Sequence, residues 1–327
     1  NHTVRSGDLL IDPDSDTQAA ITAVARQLSG LAGTLVKFEG IQVDTRRWRQ
    51  FLAALHGAGR EMHVSSGHDV GVVDILDDWN AYTRTWSANH RSTVKRSRKR
   101  LEAQGEVNCE RLQTPSDTEL YEVLEACFAI EDKGWKGDQG TSILSTPGLR
   151  EYYHREARML RDMNALDLWL LKLNDQIIAF EYCHFSKGTC FSHKISFDPN
   201  FERLSPGKAL RAFQLEVLHE DPAAEQLDTL GVLCEAKAKW ITRRYRSSRC
   251  FVAIGGHAAN LAYRAYKSLR TLAKRQQPVE PRDPNLGPPA EPALGTSERQ
   301  TTASVPSIVC PDALAGDQPA TFQESHH

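Results

Sequence analysis

Residues 166–197 constrain the fold of this chain more than any other stretch. Leu166–Leu173 and Gln176–Phe185 are strand-like runs joined by the turn pair Asn174-Asp175, and Gly188 leads into a third run, Thr189–Phe197. Within the first run, Leu168-Trp169-Leu170-Leu171 is apolar at consecutive positions. Successive strand residues point to opposite faces, so both faces of this strand must be covered. Helices are available to cover them. Ser116 and Glu119 form a capping-box pattern ahead of the stripe Leu120, Val123, Leu124, Cys127 and Phe128. Thr146-Pro147 predicts a second helix start, with Leu149, Tyr152, Tyr153, Met159, Leu160 and Met163 on its apolar face. A strand at Val107–Leu112, a helix from Ser205 to about His219, a strand near Leu227–Leu230 and a helix from Ala236 to Tyr245 complete the pattern. The expected class is α/β, with a central, mostly antiparallel mixed sheet flanked by helices.

The flanks differ in character. Residues 79–105 read as one long helix, with Trp79, Tyr82 and Trp86 at helical spacing and six Lys or Arg among the ten residues Arg91–Arg100, ending at Gly105. Residues 1–78 mix a helix at about 17–29 with short apolar runs such as Thr34–Phe38, and begin without Met, as if upstream sequence were missing. Residues 106–275 hold the main domain. Nine of the 15 prolines fall between Pro278 and Pro319, and 276–327 holds one aromatic, Phe322, so this segment is expected to be a disordered tail. A formal net charge of −2 argues against a dedicated nucleic-acid binder. No run of about 18 apolar residues could span a bilayer. The seven cysteines include no CxxC pair, so no metal site is expected, and their odd number points to reduced thiols in the cytoplasm. Cys183 and Cys190 flank the second turn and are expected near each other.

The segment richest in chemistry runs from Asp198 to Leu210. A strand ends, a loop passes, and a helix begins with Ser205 as N-cap and Pro206 at N1. Gly207 has no Cβ, so a ligand can approach the backbone, and exposed amides at a helix N-terminus attract anions, to which Lys208 adds charge. That suits a pyrophosphate. Ser-Pro-Gly is equally an ordinary way to start a helix, and local sequence leaves both readings open.

Four stretches in order carry a resemblance. They are Arg98–Gly105; Glu131–Thr141, including Trp135-Lys136-Gly137; Lys194–Asp198 leading to Ser205-Pro206-Gly207; and Asp228 followed by Trp240 and Arg243-Arg244. Over about 79–255 the chain resembles GNAT acyltransferases, in the CelD-like (cellulose-biosynthesis-type) branch related to the FemAB group, with 1–78 as the end of a degenerate first lobe. The resemblance implies acetyl-CoA or another acyl-CoA as co-substrate. Its pyrophosphate would lie on Leu204, Ser205, Pro206, Gly207, Lys208 and Ala209. Its pantetheine arm would pair with the strand carrying Ile195, Ser196 and Phe197, splayed from the strand at Leu227–Leu230. Acyl transfer would then be direct, in a ternary complex.

Candidates for the chemistry follow from residue type. Asp198 and Lys194 lie four apart on one strand face, either as base and electrostatic clamp or as a structural ion pair. Glu181 is a charge within a strand, costly unless used or paired. Asp228 either stays ionised near the cleft or caps the next loop. His193 is expected on the face opposite Lys194. Glu131, Trp135 and Lys136, with Trp240 and Arg243 on the last helix, are the candidate acceptor-binding residues; the Trp135 loop also fits a plain surface turn with a docked ring. Between Gly231 and Trp240 the chain departs from related branches, which leaves the acceptor and the proton-transfer group open. The basic helix reads as a solvated face near an anionic ligand. Besides acyl-CoA transfer to a small-molecule or glycan acceptor, two other functions fit: aminoacyl transfer from charged tRNA, and a catalytically inactive binding module in envelope polysaccharide assembly.

Overall fold

The computed structural model describes residues 9–265 apart from positions 10, 13, 32–34, 76–77 and 257–258. The segment 276–327 and Cys310 lie outside the described residues. In chain order the elements are α1 (Thr17–Ser29), β1 (Leu35–Ile41), α2 (Arg46–Gly57), β2 (Met62–Asp74), α3 (Trp79–Arg84), α4 (Ala88–Glu102), β3 (Val107–Leu112), α5 (Asp117–Asp132), α6 (Trp135–Asp138), α7 (Leu149–Asp162), β4 (Leu166–Leu173), β5 (Gln176–Ser186) and β6 (Thr189–Phe197). A 3-10 turn (Pro199–Leu204), α8 (Pro206–Glu220), β7 (Gln226–Val232), α9 (Glu235–Ala238) and β8 (Arg243–Ala253) follow.

The described strands form one sheet in the order β1-β8-β2-β7-β6-β5-β4-β3. Every neighbouring pair is antiparallel except β6 and β7, which run parallel. The N-terminal strands therefore extend the same sheet: β2 pairs with both β7 and β8, and β1 with β8. As the apolar run requires, β4 is covered on both faces. Trp169 and Leu171 pack into the cluster beneath α4 and α8, and Leu168 and Leu170 into the cluster beneath α5 and α7. Each fully buried Leu there contributes about 1.5–3 kcal/mol. Cys183 and Cys190 are buried free thiols on the α8 side.

Three local expectations change. The helix expected over 79–105 is broken into α3 and α4. Ser87 accepts a hydrogen bond from the His90 amide and starts α4 afresh, while the Arg91 guanidinium donates to the carbonyls of Thr83 and Arg84 that end α3. The α7 helix starts at Leu149 rather than at Thr146-Pro147, because Gly148, at φ 76°, turns the chain through the left-handed region first. The last predicted helix stops at Ala238, and Arg243–Ala253 is the strand β8 instead, held on both sides by β1 and β2. The capping box at Ser116 and Glu119 forms as its spacing requires.

On α4, His90, Val94, Ser97 and Leu101 are buried and form one face. Lys95, Arg96, Lys99 and Arg100 are exposed.

Candidate functional site

The parallel pair β6–β7 is registered over only three positions, Thr189–Phe191 against Gln226–Asp228. β6 continues to Phe197 and β7 to Val232, so beyond this point the two strands part. The cause lies in β7. Leu230 adopts φ 48°, its amide donates to Asp228 Oδ1 at 2.8 Å, and the register against β2 jumps between Val72–Asp228 and Val70–Val232. The outer edge of β6 is thereby left open within the sheet, able to accept an extended chain by main-chain hydrogen bonds. Asp228 stands at the apex of this fork.

At the far end of β6, the 3-10 turn delivers the chain into α8. Ser205 does not cap this helix through its hydroxyl as expected. It adopts φ 57°, ψ 53°, a left-handed conformation costly for a non-glycine residue, and makes no side-chain cap. Its carbonyl accepts from the amides of Lys208 (3.1 Å) and Ala209 (3.3 Å), and Ser97 Oγ donates to the Leu204 and Ser205 carbonyls at 3.0 Å each. Pro206 has no N–H, and the Gly207 amide has no acceptor among the described residues. A Cβ at Gly207 would meet only the Phe197 ring, at 3.6 Å, so the fold does not demand glycine there; its absence leaves room over the amide. Burial pushes the Lys208 ammonium down, and the neighbouring charges of Lys239, Arg96 and Arg100 push it further.

The opposite face of the sheet, beneath α5 and α7, carries the titratable groups. Tyr182 opposes Lys194 and Cys183 opposes Ser192, which leaves His193 as one extra residue on β6. This bulge turns His193 to the same face as Lys194, not the opposite one. His193 Nε2 lies 2.6 Å from His184 Nδ1, with its ring 6.5 Å from that of Tyr182. Lys194 Nζ lies 3.2 Å from Glu131 Oε1 and over the Tyr153 ring, which itself abuts Tyr182. Phe191, the register partner of Asp228, stacks on His184 at 4.6 Å. The histidine pair therefore lies beside the fork, on the face to which Asp228 belongs. Burial pushes both the His184 imidazole towards its neutral form and the Asp228 carboxyl up.

Residues 88–246 match the family model described as an acetyltransferase (GNAT) domain. Over this stretch the chain is similar to GNAT acetyltransferase domains. Among solved structures, FemX superposes with a TM-score of 0.53 at 13% identity, covering 76% of this chain and 79% of its own. The C-terminal domain of a protein assigned as a lysylphosphatidylglycerol synthetase from Agrobacterium fabrum gives 0.51 at 16% identity, over 82% and 83%. These likenesses establish the fold. No curated protein matches the chain.

Within residues 88–246, several expected site residues are placed by other partners. Asp198 and Lys194 are not paired with each other. Asp198 binds Lys133 Nζ at 2.8 Å and caps the 3-10 turn through the Asn200 amide, whereas Lys194 reaches Glu131. Glu181 is sealed under α8 against Arg211 at 2.8 Å, on the face away from the histidines, so it is an ion-paired core carboxylate and reaches no cleft. Glu131 is fully buried, between Lys136 Nζ at 2.5 Å, Lys194 and the Ile143 amide at 3.0 Å, and so organises the 133–143 loop rather than facing an acceptor. In that loop Trp135 is 64% exposed, and Gly137 is obligatory because a Cβ would lie 1.7 Å from the Asp132 carbonyl oxygen. Trp240 is buried against Trp86 and His90. Arg243 is on strand β8, bound to Asp74 Oδ1 at 2.8 Å, and not on a helix. Ile195 is exposed, and Ser196 and Phe197 half-buried, along the open reach of β6. His184 was not among the sequence candidates, since its role depends on the bulge that brings His193 to it; two histidines nine apart across a hairpin were the available signal.

Among the described residues no helix is long and apolar enough to cross a membrane, and no group of three or more His, Cys, Asp or Glu side chains is placed to hold a metal ion.

The position of Asp228 has a measurable consequence. Its folded-state carboxyl is held above the ordinary range by burial, so the native state binds that proton more tightly than the unfolded chain. Stability then falls as pH rises from about 3.9, the unfolded value. Asp228→Asn removes this penalty while keeping an oxygen for the Leu230 amide. Its Tm is expected to exceed that of the parent at pH 8, with the gap closing towards pH 4; a lower Tm at pH 8 would contradict the assignment.

Proposed function

We propose that this protein transfers an acyl group from an acyl-CoA thioester to the amine or hydroxyl of a small-molecule or glycan acceptor, by direct transfer in a ternary complex, as in the CelD-like branch. One observation carries the reading: the β6–β7 fork opens between the unpartnered Gly207 amide and a face bearing a histidine pair. The α8 N-terminus and Lys208 hold the diphosphate of the donor. The edge of β6 at Ile195–Phe197 binds its amide arm, and the thioester then lies at the apex beside Asp228. The acceptor attacks the thioester carbonyl and yields its proton to the His184–His193 pair. The new C–N or C–O bond forms as the C–S bond breaks, and the thiolate is protonated, with Asp228 as the acid nearest the apex. Holding the two reactants together supplies much of the rate.

The test is calorimetry with acetyl-CoA, followed by thiol release across amino sugars, polyamines and glycans. No heat at millimolar acetyl-CoA contradicts the reading, and binding without turnover on any acceptor favours the binding-module alternative. On an accepted substrate, kcat/KM should rise with pH to a plateau, with its midpoint below the ordinary imidazole value because burial favours neutral His184. His193→Gln should lose about 10²–10⁴-fold and flatten that rise; an unchanged profile removes the histidines from the mechanism.

A second reading is aminoacyl transfer from charged tRNA, favoured by the exposed basic face of α4 beside the donor end. Salt-sensitive tRNA binding would support it.

A further inference from the structure

α4 lies against the donor end of α8 and is fastened there. Ser97 Oγ donates to the Leu204 and Ser205 carbonyls at 3.0 Å each, and Arg100 Nη1 to the Arg203 carbonyl at 3.3 Å. Arg96 sits one turn before Arg100, on the same face of the helix. Neither guanidinium has a carboxylate partner among the described residues: Arg96 donates to Thr93 and Arg100 to a carbonyl. From the other side α9 brings Lys239, whose 3.0 Å pair with Glu235 is open to water, Glu235 being 90% exposed. After burial, the charges of these three cations are what disfavour the charged form of Lys208.

Two further buried polar atoms lie behind the same wall. His90 is only 5% exposed, wedged edge-on between the Trp86 and Trp240 rings, and its Nε2 has no hydrogen-bond partner. Lys208 and Lys239 are the charges that act on it. Trp86 Nε1, a donor only, is also buried without a partner. A buried polar atom left unpaired costs about 1–3 kcal/mol, so the wall holds polar capacity that the protein itself does not use.

A diphosphate on the α8 N-terminus brings about two negative charges and is already served by the Gly207 amide and one lysine. The remaining cations exceed that need, and a phosphomonoester supplies nearly two more negative charges. Resting on the acyl-CoA reading, we propose that Arg96, Arg100 and Lys239 form a second phosphate position beside the α8 N-terminus and Lys208, which takes the phosphomonoester on the ribose of the donor nucleotide. α4, which precedes the strands of the domain, would thus decide which nucleotide thioester is accepted.

The experiment is calorimetry on the full chain with coenzyme A and with 3′-dephospho-coenzyme A, which lacks that phosphate. The parent is expected to bind coenzyme A at least tenfold more tightly. In Arg96→Gln/Arg100→Gln the ratio should collapse to within twofold while dephospho-coenzyme A affinity holds, with a thermal melt confirming the fold. A parent ratio within twofold, or a tenfold ratio that survives in the variant, overturns the proposal and leaves the acyl-CoA reading standing. If neither nucleotide binds the parent, the acyl-CoA reading fails and the second phosphate position with it; salt-sensitive tRNA binding in the same preparation would then identify the polyanion.

Discussion

Gly207→Trp is expected to weaken acetyl-CoA binding by at least 100-fold, about 2.7 kcal/mol, without unfolding the protein. The present glycine leaves its amide open, and the nearest atom to an added Cβ is the Phe197 ring at 3.6 Å. An indole there would grow into the space between α8 and the open edge of β6, where the proposed donor's phosphates would lie. Gly207→Ala is the control. A methyl group makes ordinary contact with Phe197, and alanine favours a helix over glycine by about 1 kcal/mol, so its melting temperature should hold or rise. Calorimetry on both variants beside thermal melts separates binding from folding. If the tryptophan variant binds acetyl-CoA as the parent does, the donor does not use this corner.

Glu131→Gln is expected to cost about 3–5 kcal/mol of stability at neutral pH. The carboxylate is fully buried, which by itself would push its proton affinity up. The ammonium groups of Lys136 and Lys194 and the Ile143 amide outweigh burial and hold it below the usual range. The folded state thus binds this proton more weakly than the unfolded chain. The stabilisation is full above the unfolded value of about 4.3 and is lost as pH falls through the lower folded value. Denaturant melts should show the parent–variant gap intact at pH 7 and shrinking below about pH 4. A neutral-pH gap under about 1 kcal/mol would mean that the two lysines find other partners. Because Lys194 stands next to His193 on β6, the variant should also loosen the 133–143 loop against the histidine face.

Much of the scaffold was legible in the sequence because it depends on local rules. The double-sided apolar run at Leu168–Leu171 required a sheet with helices on both sides, and β4 has them. Ser116 and Glu119 mark α5, and Asn174-Asp175 and Gly188 mark the turns of the β4–β6 meander, all at positions where side-chain or φ preference acts within a few residues. The Pro206-Gly207 helix start was readable for the same reason.

The failures share one cause. The first half of β8, Arg243–Arg249, is polar and arginine-rich, and its start reads as the end of a helix; pairing with β1 and β2 makes it continuous with the apolar Cys250–Ala253 as one strand. A single extra residue on β6 turns His193 to the face of Lys194, and no periodicity argument can see a bulge set by the partner strand. The charges expected to act together, Asp198 with Lys194, are divided between Lys133 and Glu131, both contributed by α5 and its end from more than 60 residues away. Sequence alone determined the β4–β6 strands and the starts of α5 and α8, since those choices are made by neighbouring residues. Which carboxylates are sealed in the core, which histidines meet, and that β6 and β7 part at Asp228 were decided only by tertiary packing, because each depends on atoms brought together across the sheet.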